Sequence, residues 1–304
     1  MVNNSFWDDL QIRYDYLQNI LRQNNIVPLN NHGLDYMLQE TKACLDKVKI
    51  DVDDDDKELH KKILQSIKGL QALIALTTCL QTLDRKNISY VSQLRNCRAG
   101  NIEYGQPDEN NRQIYFKDFE YEIFLAAMIA EKTSYDVFLP QDQSEFDIVI
   151  NSKVAIQIKH PKNIDNTLRY LADFNRNLNE KNYYGIFAIG AEDAFNFGEK
   201  IDFADENEFQ KYYYGIASQI DDVFGYKFIS NLRKFERIIG SISTCTMYVA
   251  INGAIGGMNL RRFANSFIIE NRNNFTEYNV IEKILKIFNP NPHKINYDEN
   301  IIYR

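Results

Sequence analysis

Cysteine is scarce in this chain and carries no pattern. The four residues Cys44, Cys79, Cys97 and Cys245 form no CxxC pair, and no histidine stands at ligand spacing from any of them. That excludes the usual zinc-site signatures, and isolated thiols of this kind are ordinarily buried groups in a reducing compartment. Long apolar runs are missing too. None approaches the roughly 20 residues that cross a bilayer, and the opening residues have no leader pattern. A cytoplasmic protein with no membrane partner is therefore expected. A surplus of base is also absent, since the formal net charge is -7. Nucleic-acid binders are more often basic, but what meets phosphate is a local patch rather than the global sum. No internal repeat is visible, and the only low-complexity tract is the acidic run 51–56.

That run resembles a calcium loop only superficially. Asp51, Asp53 and Asp55 alternate as ligands would, but Asp56 stands where the loop needs glycine and Lys62 where it needs a bidentate glutamate. A solvated link before a helix, whose N-terminus favours acids, is the expectation instead.

What is present is the material of a globular protein. Hydrophobic residues make up 44% and charged residues 25% of 304, with 19 Tyr and 19 Phe to fill a core, so the composition is not that of a disordered chain. The length suits two modest domains, or one large core with an appendage. Over residues 1–97 apolar side chains recur at threes and fours. Trp7, Leu10, Tyr14, Leu17 and Leu21 form one face, and Leu34, Met37, Leu38, Thr41 and Leu45 form another after a turn at Pro28–Gly33. Leu59, Ile63, Ile67, Leu70, Leu73 and Leu80 continue the pattern. This predicts a helical N-terminal region, 1–97, serving association or regulation. Residues 98–115 read as a polar loop.

Beyond it the pattern changes. The spacing predicts a helix over 115–132, strands over 135–139, 146–150 and 154–159, a helix over 166–180 and a central strand over 184–189. Asn151 and Ser152 make a tight turn, so the second and third strands should form a hairpin. Mostly helical sequence over 206–237, strands over 244–251 and 266–270, and a helix over 278–288 complete the chain. The expected fold class is α/β, a mixed central sheet flanked by helices over residues 98–304.

Four polar residues converge under this order. Gln157 and Lys159 lie two apart on one strand and so share a face. Hairpin pairing can bring Asp147 to that face, and Glu120 lies on the preceding helix, beside the stripe set by Phe119 and Ile123. Carboxylate, amide oxygen and ammonium together suit phosphodiester hydrolysis, which needs a hard cation held by oxygens. Asp147 and Glu120 supply the one or two carboxylates that Mg²⁺ takes, with the Ile158 backbone carbonyl and Gln157 as further ligands. Lys159 would orient or deprotonate the attacking water, or stabilise charge on the phosphorane. Glu122 is the alternative to Glu120, roughly 200° around the same helix. The plainer alternative makes Asp147 a turn-proximal acid and Lys159 its ion-pair partner. His160, Lys162, Arg169 and Arg176 are candidates for contact with nucleic acid, with His160 expected at the surface. From Lys153 to Lys181 six cations face only Asp165, Asp173 and Glu180.

The segments Glu145-Phe-Asp-Ile-Val-Ile and Ala155-Ile-Gln-Ile-Lys-His resemble the D…(D/E/Q)xK signature of PD-(D/E)XK nucleases, and the Gln form is similar to that of the Mrr-like restriction branch. Asp118-Phe-Glu-Tyr-Glu looks like the helix start that precedes the signature. The resemblance covers residues 115–190. It implies a restriction-endonuclease-like fold, Mg²⁺ or Mn²⁺, and cleavage of DNA, with ligation by Asp147 and Glu120 and water activation by Lys159. Gln157 stands where the family usually has an acid, which lowers the charge on the metal site. A restriction or antiviral defence role is expected, with a helicase, ATPase or sensor subunit, or a second copy through the N-terminal helices, as restraint. A catalytically silent, nucleic-acid-binding or scaffold domain and an RNA-directed nuclease are the alternatives.

Overall fold

A computed structural model of the chain describes residues 4–30, 32–47, 57–98, 115–141, 145–161, 164–192, 202–220, 226–251, 259–270 and 275–296. The acidic run 51–56, most of the polar segment 98–115, the turn residues 142–144, Lys162 and the glycines 253, 256 and 257 lie outside them. Among the described residues the helices are α1 (Asn4–Gln23), α2 (Gly33–Lys47), α3 (Lys57–Arg85), α4 (Val91–Asn96), α5 (Tyr115–Lys132), α6 (Ile164–Lys181), α7 (Glu206–Ile220), α8 (Tyr226–Leu232) and α9 (Thr276–Phe288). The strands are β1 (Val137–Phe138), β2 (Ile148–Ile150), β3 (Val154–Lys159), β4 (Tyr184–Gly190), β5 (Asp202–Phe203), β6 (Ile238–Ile251), β7 (Asn259–Glu270) and β8 (His293–Asn296). They form two compact units. The first holds residues 1–127, 197–209 and 247–261, and the second holds 128–196, 210–246 and 262–304.

In the first unit α1 and α2 pack on α3. The periodic leucines explain it: Leu10, Leu17, Leu34, Leu73, Leu76 and Leu80 are all buried, so the three apolar stripes close on one another. Gly69 permits the closest approach, because a Cβ there would lie 2.6 Å from Glu40 Cβ on α2. Polar groups lock the helices. Arg13 of α1 donates to Thr77 and Thr78 of α3 at 3.2 and 3.0 Å. The Tyr16 and Tyr90 hydroxyls donate to opposite oxygens of Asp84, at 2.5 and 2.8 Å. Burial, followed by the bond to Asp84, pushes both tyrosine pKa values well up. In the same unit β5 runs parallel to the end of β6, Asp202 opposite Ala250.

The second unit is a mixed sheet in the order β1-β2-β3-β4-β6-β7-β8. β1, β2 and β3 are antiparallel neighbours, β3, β4 and β6 run parallel, and β8 runs parallel to β7. Asn151 and Ser152 both take positive φ, 49° and 55°, in a tight turn closed by the Lys153 N–H on Ile150 O, and the three residues 151–153 separate the paired Ile150 and Val154. One face of the sheet, carrying Ala155, Phe187 and Ile189, packs on Leu171, Phe174 and Leu178 of α6 and on Phe228 and Leu232 of α8. On the other face Gly240 leaves room for α9, since a Cβ there would lie 2.6 Å from Leu285 Cδ1. The chain is thus mixed α/β, with helices on both faces of this sheet.

Several elements differ from expectation. β2 starts at Ile148 rather than 146, because the Asp147 side chain takes a backbone donor that a longer ladder would use. β6 starts at Ile238, six residues before 244. Gly240 and Ser241 disguise it: the glycine is small for α9, and the buried serine hydroxyl donates to Phe187 O at 2.9 Å. β7 starts at Asn259 rather than 266, and the 206–237 helix is two, α7 and α8.

Candidate functional site

The hairpin register brings two of the four candidate residues together. Ile148 pairs with Ile156 and Val149 with Ala155, so Asp147 falls opposite Gln157 on the face turned to α6. Asp147 Oδ2 accepts Gln157 Nε2 at 2.5 Å and the Ile158 backbone N–H at 2.6 Å. The Asp147 N–H donates to Ile156 O at 3.1 Å. Backbone and side chain of Asp147 are therefore both tied to β3. The Gln157 amide donates through Nε2, which leaves Oε1 as its ligand atom. A residue's N–H and C=O point to the same side of a strand, so the Ile158 carbonyl also faces the β2 side, beside Asp147.

Lys159 ends β3 half-buried, on the same face as Gln157, with its ammonium 5.8 Å from the centre of the Tyr170 ring on α6. An aromatic face holds a cation without neutralising it. Asp147 is engaged by the amide and the backbone of β3.

Glu120 and Glu122 belong to the first unit, near the start of α5, and both are buried, at 3% and 6% exposure. Lys117, a turn earlier, is fully buried, so this end of α5 carries interior charge rather than a solvated acidic cap. Burial does not separate Glu120 from Glu122. Cys97 Sγ lies 3.9 Å from Phe116 O, and burial, then the charges of Glu120, Glu122 and Asp118, push its thiol pKa well above the usual value. Cys245 is raised likewise, by burial and then Glu192. Both are inert thiols at neutral pH.

The expected phosphate contacts divide. Arg169 is exposed on α6, with its guanidinium 5.4 Å from the Tyr170 ring centre. Arg176 is exposed but bonded to Asp173 at 2.9 Å, and Lys181 is 3.5 Å from Glu145, so part of the local positive charge is answered. Lys162 lies outside the described residues. His160 departs from its expected surface position. Its side chain is only 6% exposed and turns inward, toward Glu192 at the end of β4. Nothing in the sequence pointed to Glu192, one of two adjacent acids after an apolar strand.

The donors can be tested against a metal. Among the described residues no group of three or more His, Cys, Asp or Glu side chains is placed to hold an ion. That does not suit zinc, which wants four nitrogen, sulfur or carboxylate ligands. One carboxylate, an amide oxygen and a backbone carbonyl do suit Mg²⁺ or Mn²⁺, whose remaining positions water and phosphate oxygens fill. Glu120 is not needed for that donor set. Among the described residues no helix is long and apolar enough to cross a membrane.

The fold and site define the chain as a mixed α/β protein with a polar cluster on one sheet hairpin. Comparison with protein families, with characterised proteins and with solved structures gives no match.

Proposed function

We propose that the chain is a metal-dependent nuclease with a restriction-endonuclease-like core, hydrolysing DNA phosphodiesters at Asp147, Gln157 and Lys159. The observation that carries this reading is the placement of Asp147 opposite Gln157, bonded to it at 2.5 Å, with Lys159 two residues further on the same face. A bound Mg²⁺ or Mn²⁺ would supply Lewis acidity and a water of lowered pKa. Asp147, the Gln157 amide oxygen and the Ile158 carbonyl hold that ion. Lys159 orients the attacking water or stabilises charge on the phosphate, and the Tyr170 ring face keeps its ammonium in place with the charge intact. Exposed Arg169 offers a contact for the nucleic-acid backbone. Incubation with DNA and Mn²⁺ tests the reading. Cleavage by the wild type that Lys159→Ala abolishes supports it; equal cleavage by both traces the activity to another site or a contaminant. The same assay on RNA separates the two polymers.

One observation favours a second reading, a silent domain that binds nucleic acid or scaffolds a complex. Asp147 Oδ2 already accepts two donors, and Gln157 adds no charge. Calorimetry of Mn²⁺ with wild type and Asp147→Ala decides between them, because a silent domain has no Asp147-dependent metal site. We also propose a restriction or defence role restrained by association, through a second copy or a helicase, ATPase or sensor subunit. A monomer that cuts plasmid freely would sink it.

A further inference from the structure

We propose that Glu192 is a positioning residue for Lys159, acting through His160 to hold the carboxyl-terminal end of β3; this rests on the role given to Lys159 above. The parallel ladder between β3 and β4 stops where Lys159 meets Ile189. Lys159 is therefore the last residue of its strand, and its root is only as fixed as the next residue in the chain. That residue, His160, packs its imidazole onto bare backbone. A Cβ on Gly190 would lie 2.0 Å from His160 Cδ2, 2.1 Å from its Nε2 and 2.8 Å from Glu192 Oε2. The ring and the carboxylate occupy the space a side chain at 190 would need.

Glu192 is 2% exposed. Its Oε1 accepts the Thr246 N–H of β6 at 2.6 Å. Its Oε2 is buried with no hydrogen-bond partner among the described residues and stands 3.9 Å from His160 Nε2. A buried carboxylate oxygen is costly unless a positive or donating edge is near, and the imidazole nitrogen is such an edge. The carboxylate thus connects three neighbouring parallel strands: the interior of β6 through Thr246, the end of β4 through the chain itself, and the end of β3 through His160. An apolar pair would fill this space with less desolvation, so the contact is weak as a stabiliser. Its position one residue beyond Lys159 gives it a different use. Misplacing a reacting group by 1 Å lowers a rate by about a hundredfold.

Glu192→Gln in the full chain tests this, since it keeps the size and an acceptor for Thr246 while removing the charge. Amide hydrogen exchange of residues 156–160 is read beside kcat, KM and the thermal midpoint in Mn²⁺. The expected result is exchange at the end of β3 about tenfold faster, kcat about tenfold lower, and KM and midpoint unchanged, with Glu192→Asp restoring part of the loss. Unchanged exchange overturns the proposal. So does faster exchange across the whole sheet with a matching fall in midpoint, which marks a structural role only. If Glu192→Gln does not fold, His160→Gln puts the same question. If the wild type cuts nothing, the nuclease reading fails, and exchange at residues 156–160 alone decides whether Glu192 anchors β3.

Discussion

Asp84 in the helical unit and Asp147 in the sheet unit each accept two donors, but in different ways. Asp84 has a tyrosine hydroxyl on each oxygen, from Tyr16 on α1 and from Tyr90 just before α4. Asp147 receives two donors, Gln157 Nε2 and Ile158 N–H, on the one oxygen Oδ2, and these come from the strand it pairs with. The first arrangement ties distant stretches of chain together around an exposed carboxylate. The second fixes the direction of a carboxylate at a strand end beside an amide and a backbone carbonyl, with Lys159 further along the same strand face. The same residue type thus serves a joint in one unit and a polar corner of a hairpin in the other.

Lys159→Ala should separate the two most sharply. Mn²⁺-supported DNA cleavage should fall by about 10²–10⁴-fold while the thermal midpoint stays near wild type. Asp84→Ala should do the reverse. It removes the acceptor of the buried Tyr90 hydroxyl and of the more exposed Tyr16 hydroxyl, costs about 1–3 kcal/mol by urea denaturation, and leaves Mn²⁺ binding intact. Gly69→Ala should cost about 1–3 kcal/mol in the same measurement, because the added methyl forces α3 away from Glu40. Asp147→Asn keeps an oxygen for both donors, so its stability cost should stay below about 1 kcal/mol, yet Mn²⁺ binding by calorimetry should be lost. Normal Mn²⁺ binding by the Asp147→Asn protein would remove the contrast.

The tyrosines add a pH test. Their folded pKa values lie above the ordinary value of 10.0. Stability from them is therefore complete below pH 10 and declines as pH rises above it, since the unfolded chain ionises first. Denaturation series from about pH 9 to 11 should show this fall, and Tyr16→Phe or Tyr90→Phe should flatten it. The smallest effect belongs to Arg176→Ala, within about 0.5 kcal/mol, because its partner Asp173 is exposed with it.

Much of the frame was legible in the sequence. α5 and β3 stand at the bounds their patterns predict, because one shows a clean helical stripe and the other an unbroken apolar run ending in Gln-Ile-Lys. β6 was hidden at its start by Gly240 and Ser241, whose small size and buried hydroxyl answer to α9 and β4 rather than to local propensity. β8 was invisible: among its described side chains Ile295 alone is buried, so no alternation shows. At the site, the facing of Asp147 and Gln157 depends on Lys153 joining the turn, because a loop of Asn151 and Ser152 alone would set Asp147 opposite Ile156. The inward turn of His160 does not, because it depends on Gly190 and Glu192, some thirty residues on. Nor does the buried charge at the start of α5, where Lys117, Glu120 and Glu122 all look like ordinary surface residues by type.

The turn at Asn151 and Ser152 has a further consequence. A strand's side chains alternate, so one inserted residue there would leave the hairpin paired but carry Asp147 to the α9 side of the sheet, out of reach of Gln157 and Lys159. Two residues would bring it back, one rung displaced. The length of this loop, more than its composition, is the gauge that sets whether acid and amide meet.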